Sequence, residues 1–275
     1  MAFIDDIIVL AQTPSQDISK SALTLAGFSL LDWIVCGRAG ISEPLSRKLR
    51  QLAEKEAGAT EASVFGGARA PARMAALVNG ATSHALDFDD THFAHIGHLS
   101  VGIYPAALSA GEERDVSVRD VIAAFTVGAE VAIRIGMVLG AEHYNHGFHQ
   151  TATAGAFGAT VAAGRLYGLT DVQMRNAIGL CATRASGLKS QFGTMGKPYN
   201  AGIAASNGVE CAQLAALDFT SAADALMGEQ GFVETHNKGG DVATAWEIPP
   251  GKKFLFEDNK YKLHACCHGL HAMIE

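Results

Sequence analysis

Charge is what this chain has least of. Only 18% of its residues are Asp, Glu, Lys or Arg, against 48% hydrophobic, which excludes an extended or disordered chain and calls for a large buried core. Aromatic residues are scarce as well, at 7%, while glycine is plentiful at 30 positions, a balance that disfavours a sandwich of β-branched strands. Helices packed through alanine and glycine suit it better, so an all-α fold is expected. No basic cluster occurs and the formal charge is −7, so nothing is present to neutralise a phosphate backbone and no nucleic-acid partner is expected.

Other absences narrow the chemistry. The first six residues, Met1-Ala2-Phe3-Ile4-Asp5-Asp6, place acids where an export signal needs positive charge, which predicts a cytoplasmic protein. Five cysteines, an odd number that includes the adjacent Cys266 and Cys267, do not make a disulfide framework and fit a reducing compartment. Cys36, Cys181 and Cys211 read as small core residues. The span of residues 121–141 is apolar enough for a membrane but carries Glu130 and Arg134 at ion-pair spacing, so a buried helix is expected and no membrane. Neither GxGxxG nor GxxxxGK[ST] occurs, nor HExxH, nor a paired CxxC, so no cofactor and no metal are expected.

What is present gathers in residues 83–100, Ser83-His84-Ala85-Leu86-Asp87-Phe88-Asp89-Asp90-Thr91-His92-Phe93-Ala94-His95-Ile96-Gly97-His98-Leu99-Ser100. Eighteen residues hold three carboxylates, four imidazoles and three hydroxyls, the raw material of acid–base chemistry. A helix over 74–91 would place His84, Asp87 and Thr91 on one face, with Thr91–His98 a loop beyond it. Three distant stretches also set polar groups beside small residues: His149-Gln150-Thr151, Gly193-Thr194-Met195-Gly196-Lys197, and residues 262–271 with Lys262, His264, His268 and His271. Lysines that hold carboxylates beside imidazoles that move protons suit an anionic substrate.

Periodicity and caps predict further helices over 17–40, capped by Asp17, over 42–57 with Pro44 in its first turn, over 118–140, over 171–182 capped by Asp171, and over 201–217. Pro71 opens the helix that leads into the central stretch, and small-residue helices are expected from Pro105 and after Gln150. Residues 143–148 read as a loop and 220–250 as loop-like. Strand character is confined to 253–256 and 260–265.

These residues carry a resemblance. Ala75-Ala76-Leu77-Val78-Asn79-Gly80-Ala81 followed by His84-Ala85-Leu86-Asp87-Phe88-Asp89-Asp90-Thr91, then Phe148-His149 with Thr151 and Gly155-Ala156-Phe157-Gly158, then Gly193-Thr194-Met195 with Lys197 and Ala201-Gly202, resemble the MmgE/PrpD family in four separated motifs in order. That family includes 2-methylcitrate dehydratases, cis-aconitate decarboxylases and iminodisuccinate epimerases. The resemblance implies a large all-helical domain, here 1–252, followed by a smaller α+β lid domain. Residues 253–275 would only lead toward it, so the lid is expected to be largely or wholly missing. Helices lined with alanine and glycine, such as 118–140 and 201–217, can approach partners closely, and a missing lid would expose apolar surface around Phe254, Leu255, Phe256, Cys266, Leu270 and Met273; with the dimer that the resemblance also implies, this predicts a homodimer formed through the helical domain and not through the tail.

The resemblance further implies site residues Asp87, Thr91, His98, His149, Lys197 and Lys262, the last placed by its nine-residue step to His271. Leu99, Gln150 and Gly196 depart from the family pattern. Charge assigns Lys197 and Lys262 to the carboxylates of a small polycarboxylate, His98 and His149 to proton transfer, Asp87 to orienting an imidazole and Thr91 to hydrogen bonding. The expected activity is a cofactor-independent lyase, first of all a dehydratase of the 2-methylcitrate kind. Decarboxylation and epimerisation are alternatives, as is an inactive binding or scaffold protein.

Overall fold

The computed structural model describes residues 2–237 and 240–275. Among these residues nine helices carry the architecture: α1 Phe3–Ala11, α2 Lys20–Gly40, α3 Pro44–Glu56, α4 Ala72–Ser83, α5 Ser100–Glu113, α6 Val118–His146, α7 Thr153–Leu166, α8 Asp171–Arg184 and α9 Gly196–Ala216. Three short ones follow, α10 Phe232–His236, α11 Val242–Trp246 and α12 His271–Ile274. Among the described residues there is no strand, so the fold is all-α as its composition implies; strand-like pairing is limited to isolated bridges such as Thr91 with Lys260.

The centre is made of α4, α5, α6, α7 and α9, and glycine sets how closely they cross. A Cβ on Gly202 of α9 would lie 2.4 Å from the Leu77 carbonyl oxygen of α4, and one on Gly128 of α6 would lie 2.5 Å from the Gly158 carbonyl oxygen of α7. Backbones in contact leave no room for a methyl group, and the flanking alanines fill what remains. α6 is apolar enough to cross a membrane by length and composition, but 89% of its most apolar window is buried within the fold. Glu130 and Arg134 form the expected ion pair there, at 2.6 Å and fully buried. The pair also works as a fastener. Arg134 donates to the carbonyls of Ala245 and Ile248, and Glu130 accepts from the Phe256 N–H at 3.0 Å, so α6 holds α11 and the chain that follows it.

Several boundaries differ from expectation. α4 stops at Ser83 with His84 as its C-cap, and Asp87 adopts a left-handed φ of 52°, so His84, Asp87 and Thr91 do not share a helix face. The reason lies in partners: His84 turns its Nδ1 to Asp89 at 2.9 Å and Thr91 pairs with Lys260, which a continuous helix would prevent. α6 runs on to His146 across a break at Gly140, φ 62°, which places His143 on a helix where a loop is expected. The caps shift too: Ser19, not Asp17, caps α2, and Thr170, not Asp171, caps α8 in a reciprocal box with Gln173.

The last segment differs most. Residues 253–256 form no strand; Leu255–Asp258 is a 3-10 turn, and Phe254, Leu255 and Phe256 are all buried around it. Phe256 meets Phe125 edge-on at 5.4 Å, and Phe125 stacks on Tyr104. The apolar surface expected around the tail is thereby reduced to Leu270 and Met273, with Cys266 half-buried.

Candidate active site

The loop after α4 owes its shape to residues far along the chain. The Thr91 and Lys260 backbones exchange two hydrogen bonds of 2.8 Å, Asn259 donates to Asp90 at 2.7 Å, and His92 Nε2 meets the Leu255 carbonyl at 2.8 Å. Lys262 completes the attachment, its buried ammonium donating to the Asp87 carbonyl at 2.6 Å and to Asp87 Oδ1 at 3.0 Å. A non-glycine residue in the left-handed region is strained, and here an ion pair and a main-chain hydrogen bond from one lysine hold it in place.

Two carboxylates then organise the lysines and imidazoles. Asp87 lies 3.0 Å from Lys262 Nζ, 2.7 Å from Lys197 Nζ and 3.6 Å from His98 Nε2. Asp89, fully buried, lies 2.9 Å from His84 Nδ1 and 2.7 Å from His98 Nδ1. Burial alone would raise the pKa of Asp89, but the imidazoles of His84 and His98 outweigh it and hold the carboxyl well below the usual range. For Asp87 the same opposition is won by His98, His84, Lys197 and Lys262, and its pKa is lowered. His84 is buried completely, and that burial, helped by His98 and Lys197, depresses its pKa despite Asp89.

His149 reaches the same place from the other half of the chain. Its backbone N–H donates to the Gly187 carbonyl at 3.0 Å, and its Nδ1 accepts from Asn200 Nδ2 at 3.2 Å. Asn200 also donates to the Leu188 carbonyl, which fixes the amide orientation, so the neutral His149 ring carries its proton on Nε2. Burial, with His84, His98 and Lys197 near, pushes its pKa well down. His98 is set by its N–H, which donates to Thr151 Oγ1 at 3.0 Å.

Asp87, Thr91, His98, His149 and Lys197 all line one cleft of about 190 Å³. Lys262 does not: its ammonium is enclosed behind Asp87, and it touches the cleft only through that carboxylate. Thr91 faces His268, Oγ1 to Nδ1 at 2.6 Å. Sequence reasoning missed Asp89 as the shared anion, Asn200 as the partner of His149, and Tyr144, Cys267 and His268 as cleft walls. The run Asp87-Phe88-Asp89-Asp90 held a signal, since one of three neighbouring acids had to face the imidazoles, but nothing in the run says which. His95 is structural: its Nδ1 meets the Ala132 carbonyl at 3.1 Å, and burial takes its pKa down to about 3, whereas His92 lines the cleft while its Nε2 holds the Leu255 carbonyl.

The same fold brings together four potential metal ligands, His84, Asp87, Asp89 and His98, within 4.8 Å of one another, a grouping that linear spacing did not reveal. Part of their donor set is engaged: two ammonium groups sit on Asp87 and His84 Nδ1 meets Asp89, so a divalent ion at Asp87 would have to displace two lysines, whereas Asp89 Oδ2 and His98 Nδ1, 2.7 Å apart, make no hydrogen bond.

Known proteins resemble this chain over most of its length. The chain is 32% identical over 276 residues to a cis-aconitate decarboxylase of Aspergillus terreus, covering 95% of this chain and 56% of the relative. It is 31% identical to a cis-aconitate decarboxylase-like protein, oryM, of Aspergillus oryzae, over 94% of this chain and 57% of the relative. To the human cis-aconitate decarboxylase it is 29% identical over 210 residues, 74% of this chain and 44% of the relative. The matched region thus spans about half the length of these relatives, 44% to 57%. The MmgE/PrpD N-terminal domain family matches residues 9–245, which is most of the chain, and the protein belongs to the MmgE/PrpD family.

Proposed function

We propose that this chain carries the helical, acid–base part of a cofactor-independent lyase for a small polycarboxylate, and that its reaction is decarboxylation of an unsaturated tricarboxylate of the cis-aconitate kind. The observation that carries the reading is a cleft in which one ammonium, Lys197, and two imidazoles, His98 and His149, meet among paired buried charges. Unpaired charges would be expensive to bury, and an anionic substrate is the natural occupant of a site that keeps cations in reserve.

The chemistry follows from the substrate class. A carboxylate on the carbon next to a double bond can leave as carbon dioxide because the freed electron pair forms a new double bond and the old one passes its pair to the far carbon, which takes a proton. The substrate supplies its own electron sink. The protein has to hold the carboxylates that stay and deliver one proton. Lys197 takes a carboxylate, competing with Asp87 for it. His149 faces the cleft with Nε2, and two or three negative charges arriving beside His149 and His98 raise their proton affinity, so an imidazole protonates as substrate binds and passes that proton to carbon. Asp87 and Asp89 orient His98, Lys262 keeps Asp87 in place, and Thr91 contributes a hydroxyl.

Dehydration of 2-methylcitrate, the first expectation from sequence, and epimerisation would use the same acid–base pair; the names of the relatives favour decarboxylation. Carbon-13 NMR of the chain with labelled cis-aconitate, and in parallel with 2-methylcitrate, tests the choice. Carbon dioxide and a methylene-bearing diacid are expected from the first. Turnover of 2-methylcitrate alone would move the reading to a dehydratase, and binding without turnover of any polycarboxylate would make it a binding protein.

Residues 1–252 act in this reading as one helical domain with 253–275 leading on from it, in a cytoplasm whose reducing conditions suit five free thiols. Two copies pair through the helical domain. The faces expected to pair, on α6 and α9, are inside the fold, whereas α2 leaves Phe28, Leu31 and Val35 more than half exposed in one stripe. Light scattering should give a dimer for the chain and a monomer for Leu31→Glu.

A further inference from the structure

Lys262 spends its ammonium on Asp87, so the cleft has a single lysine for a ligand that carries two or three carboxylates. One imidazole in the cleft wall has no part in the roles above. His268 is half-buried and fixed on three sides. Thr91 Oγ1 lies 2.6 Å from its Nδ1, Phe93 tilts against it at 5.3 Å, and His271 stacks on it at 4.7 Å, itself held by a hydrogen bond to the His264 carbonyl. Among the described residues its Nε2 has no hydrogen-bond partner. A side chain whose rotamer is set by three neighbours, one nitrogen engaged and the other free in a polar cleft, is arranged to bind.

We propose that His268 is a substrate-anchoring residue, whose Nε2–H receives a second carboxylate of the polyanion held by Lys197, and that Thr91 is the positioning residue that selects this tautomer. When the Thr91 hydroxyl donates to Nδ1, the ring proton must reside on Nε2, facing the ligand. The neutral form suffices, because a carboxylate accepts from N–H without a full positive charge on the donor. Burial, with His271, Lys262 and His98 nearby, lowers the His268 pKa, in keeping with a neutral donor in the empty cleft. This makes a wall of the cleft out of residues 267–269, so the segment after α11 contributes binding as well as attachment.

The inference rests on the polycarboxylate reading, and calorimetric titration separates the two. The probe is tricarballylate, a saturated tricarboxylate with no double bond to react, against the chain, His268→Ala, His268→Gln and Thr91→Val. Loss of one hydrogen bond to a charged group predicts affinity roughly 10- to 100-fold weaker for His268→Ala, with His268→Gln recovering most of it through its own N–H. Thr91→Val should fall between, and the affinity for propionate, with one carboxylate, should be the same in the chain and in His268→Ala. Equal tricarballylate affinity in the chain and His268→Ala, both folded by circular dichroism, would overturn the role of His268 and leave the polycarboxylate reading standing. A folded wild-type chain that binds no tricarballylate would overturn both.

Discussion

The crossing of α4 and α9 and the loop between α4 and α5 lie close together yet are built on opposite principles. At the crossing, Gly80 and Gly202 bring two backbones into contact, and the neighbours Ala76, Ala81, Ala201 and Ala205 are wholly buried. Nothing there is charged, and stability comes from the fit of small groups. In the loop, Asp87 is held by the ammonium groups of Lys262 and Lys197 and buried Asp89 lies against the imidazoles of His84 and His98, so stability comes from polar partners. The first region is damaged by adding atoms, the second by removing a partner. A rigid apolar floor is what allows the second arrangement, because buried charges remain paired only where their carriers cannot drift apart.

The sharpest way to break this comparison is to substitute one residue in each region. Asp89→Asn removes the anion from between two imidazoles, and breaking a buried pair from one side destabilises by about 3–5 kcal/mol. It should also abolish activity, since His98 loses its orienting partner. Gly202→Ala places a methyl group 2.4 Å from a carbonyl oxygen, and overpacking of this kind destabilises by about 1–3 kcal/mol. At a temperature where this variant is folded, its activity per folded molecule should match that of the unaltered chain. Urea unfolding with parallel assays checks both. Equal loss of activity per folded molecule in the two variants would mean that floor and site are one unit.

How much of each region can be read in the sequence follows the same division. Helices that bury a stripe announce themselves through period and caps, and the Glu130–Arg134 pair is local in sequence, so α2, α3, α8, the start of α6 and the pair on it are legible within a few residues. The family motifs likewise point to residues 84–91 and to 149 and 197. What is not legible is the loop's shape. Asp87 is left-handed because a lysine 175 positions later holds it, and α4 ends at Ser83 because His84 has a better partner in Asp89 than in the next helical turn. Local pattern extends the helix through such a place, since the competing contacts belong to the tertiary structure. Lys262 shows the limit most plainly: its charge suggests a substrate ligand, and its burial makes it a brace for Asp87.

A smaller effect is expected from pH, and it separates the two regions further. Outside the cleft, His95 and His143 are buried as neutral rings, burial lowering their pKa values to about 3 and about 4. An unfolded histidine titrates near 6.5, so between that pH and about 4 the unfolded chain takes up protons that the native chain refuses. Their contribution to stability is therefore complete above pH 7 and declines as pH falls, by roughly 1.4 kcal/mol per pH unit for each ring. Denaturant midpoints between pH 7.5 and 5 should drop accordingly, and His95→Asn should flatten part of the slope. A midpoint independent of pH over that interval would mean that these rings are protonated in the native protein.

The smallest effect should come from chelation, and the reason returns to the paired charges. Four ligand atoms from His84, Asp87, Asp89 and His98 stand close enough to surround a cation, so a tightly held divalent ion is the strongest rival to the cofactor-free reading. To bind, such an ion would need Asp87, and both its oxygens are approached by ammonium groups within 3.0 Å. It would also meet His84 Nδ1, which is hydrogen-bonded to Asp89 at 2.9 Å. Displacing two lysines leaves them buried beside a doubly charged ion, a repulsion that the gain of two carboxylate ligands does not evidently offset. Lys197 and Lys262 thus occupy the electrostatic position that a metal would otherwise fill. Dialysis against EDTA should leave tricarballylate affinity and any turnover unchanged, and elemental analysis should find no stoichiometric transition metal. One ion per chain, with affinity lost on its removal and restored by a single divalent metal, would make the lysines secondary and the four ligands a true metal centre.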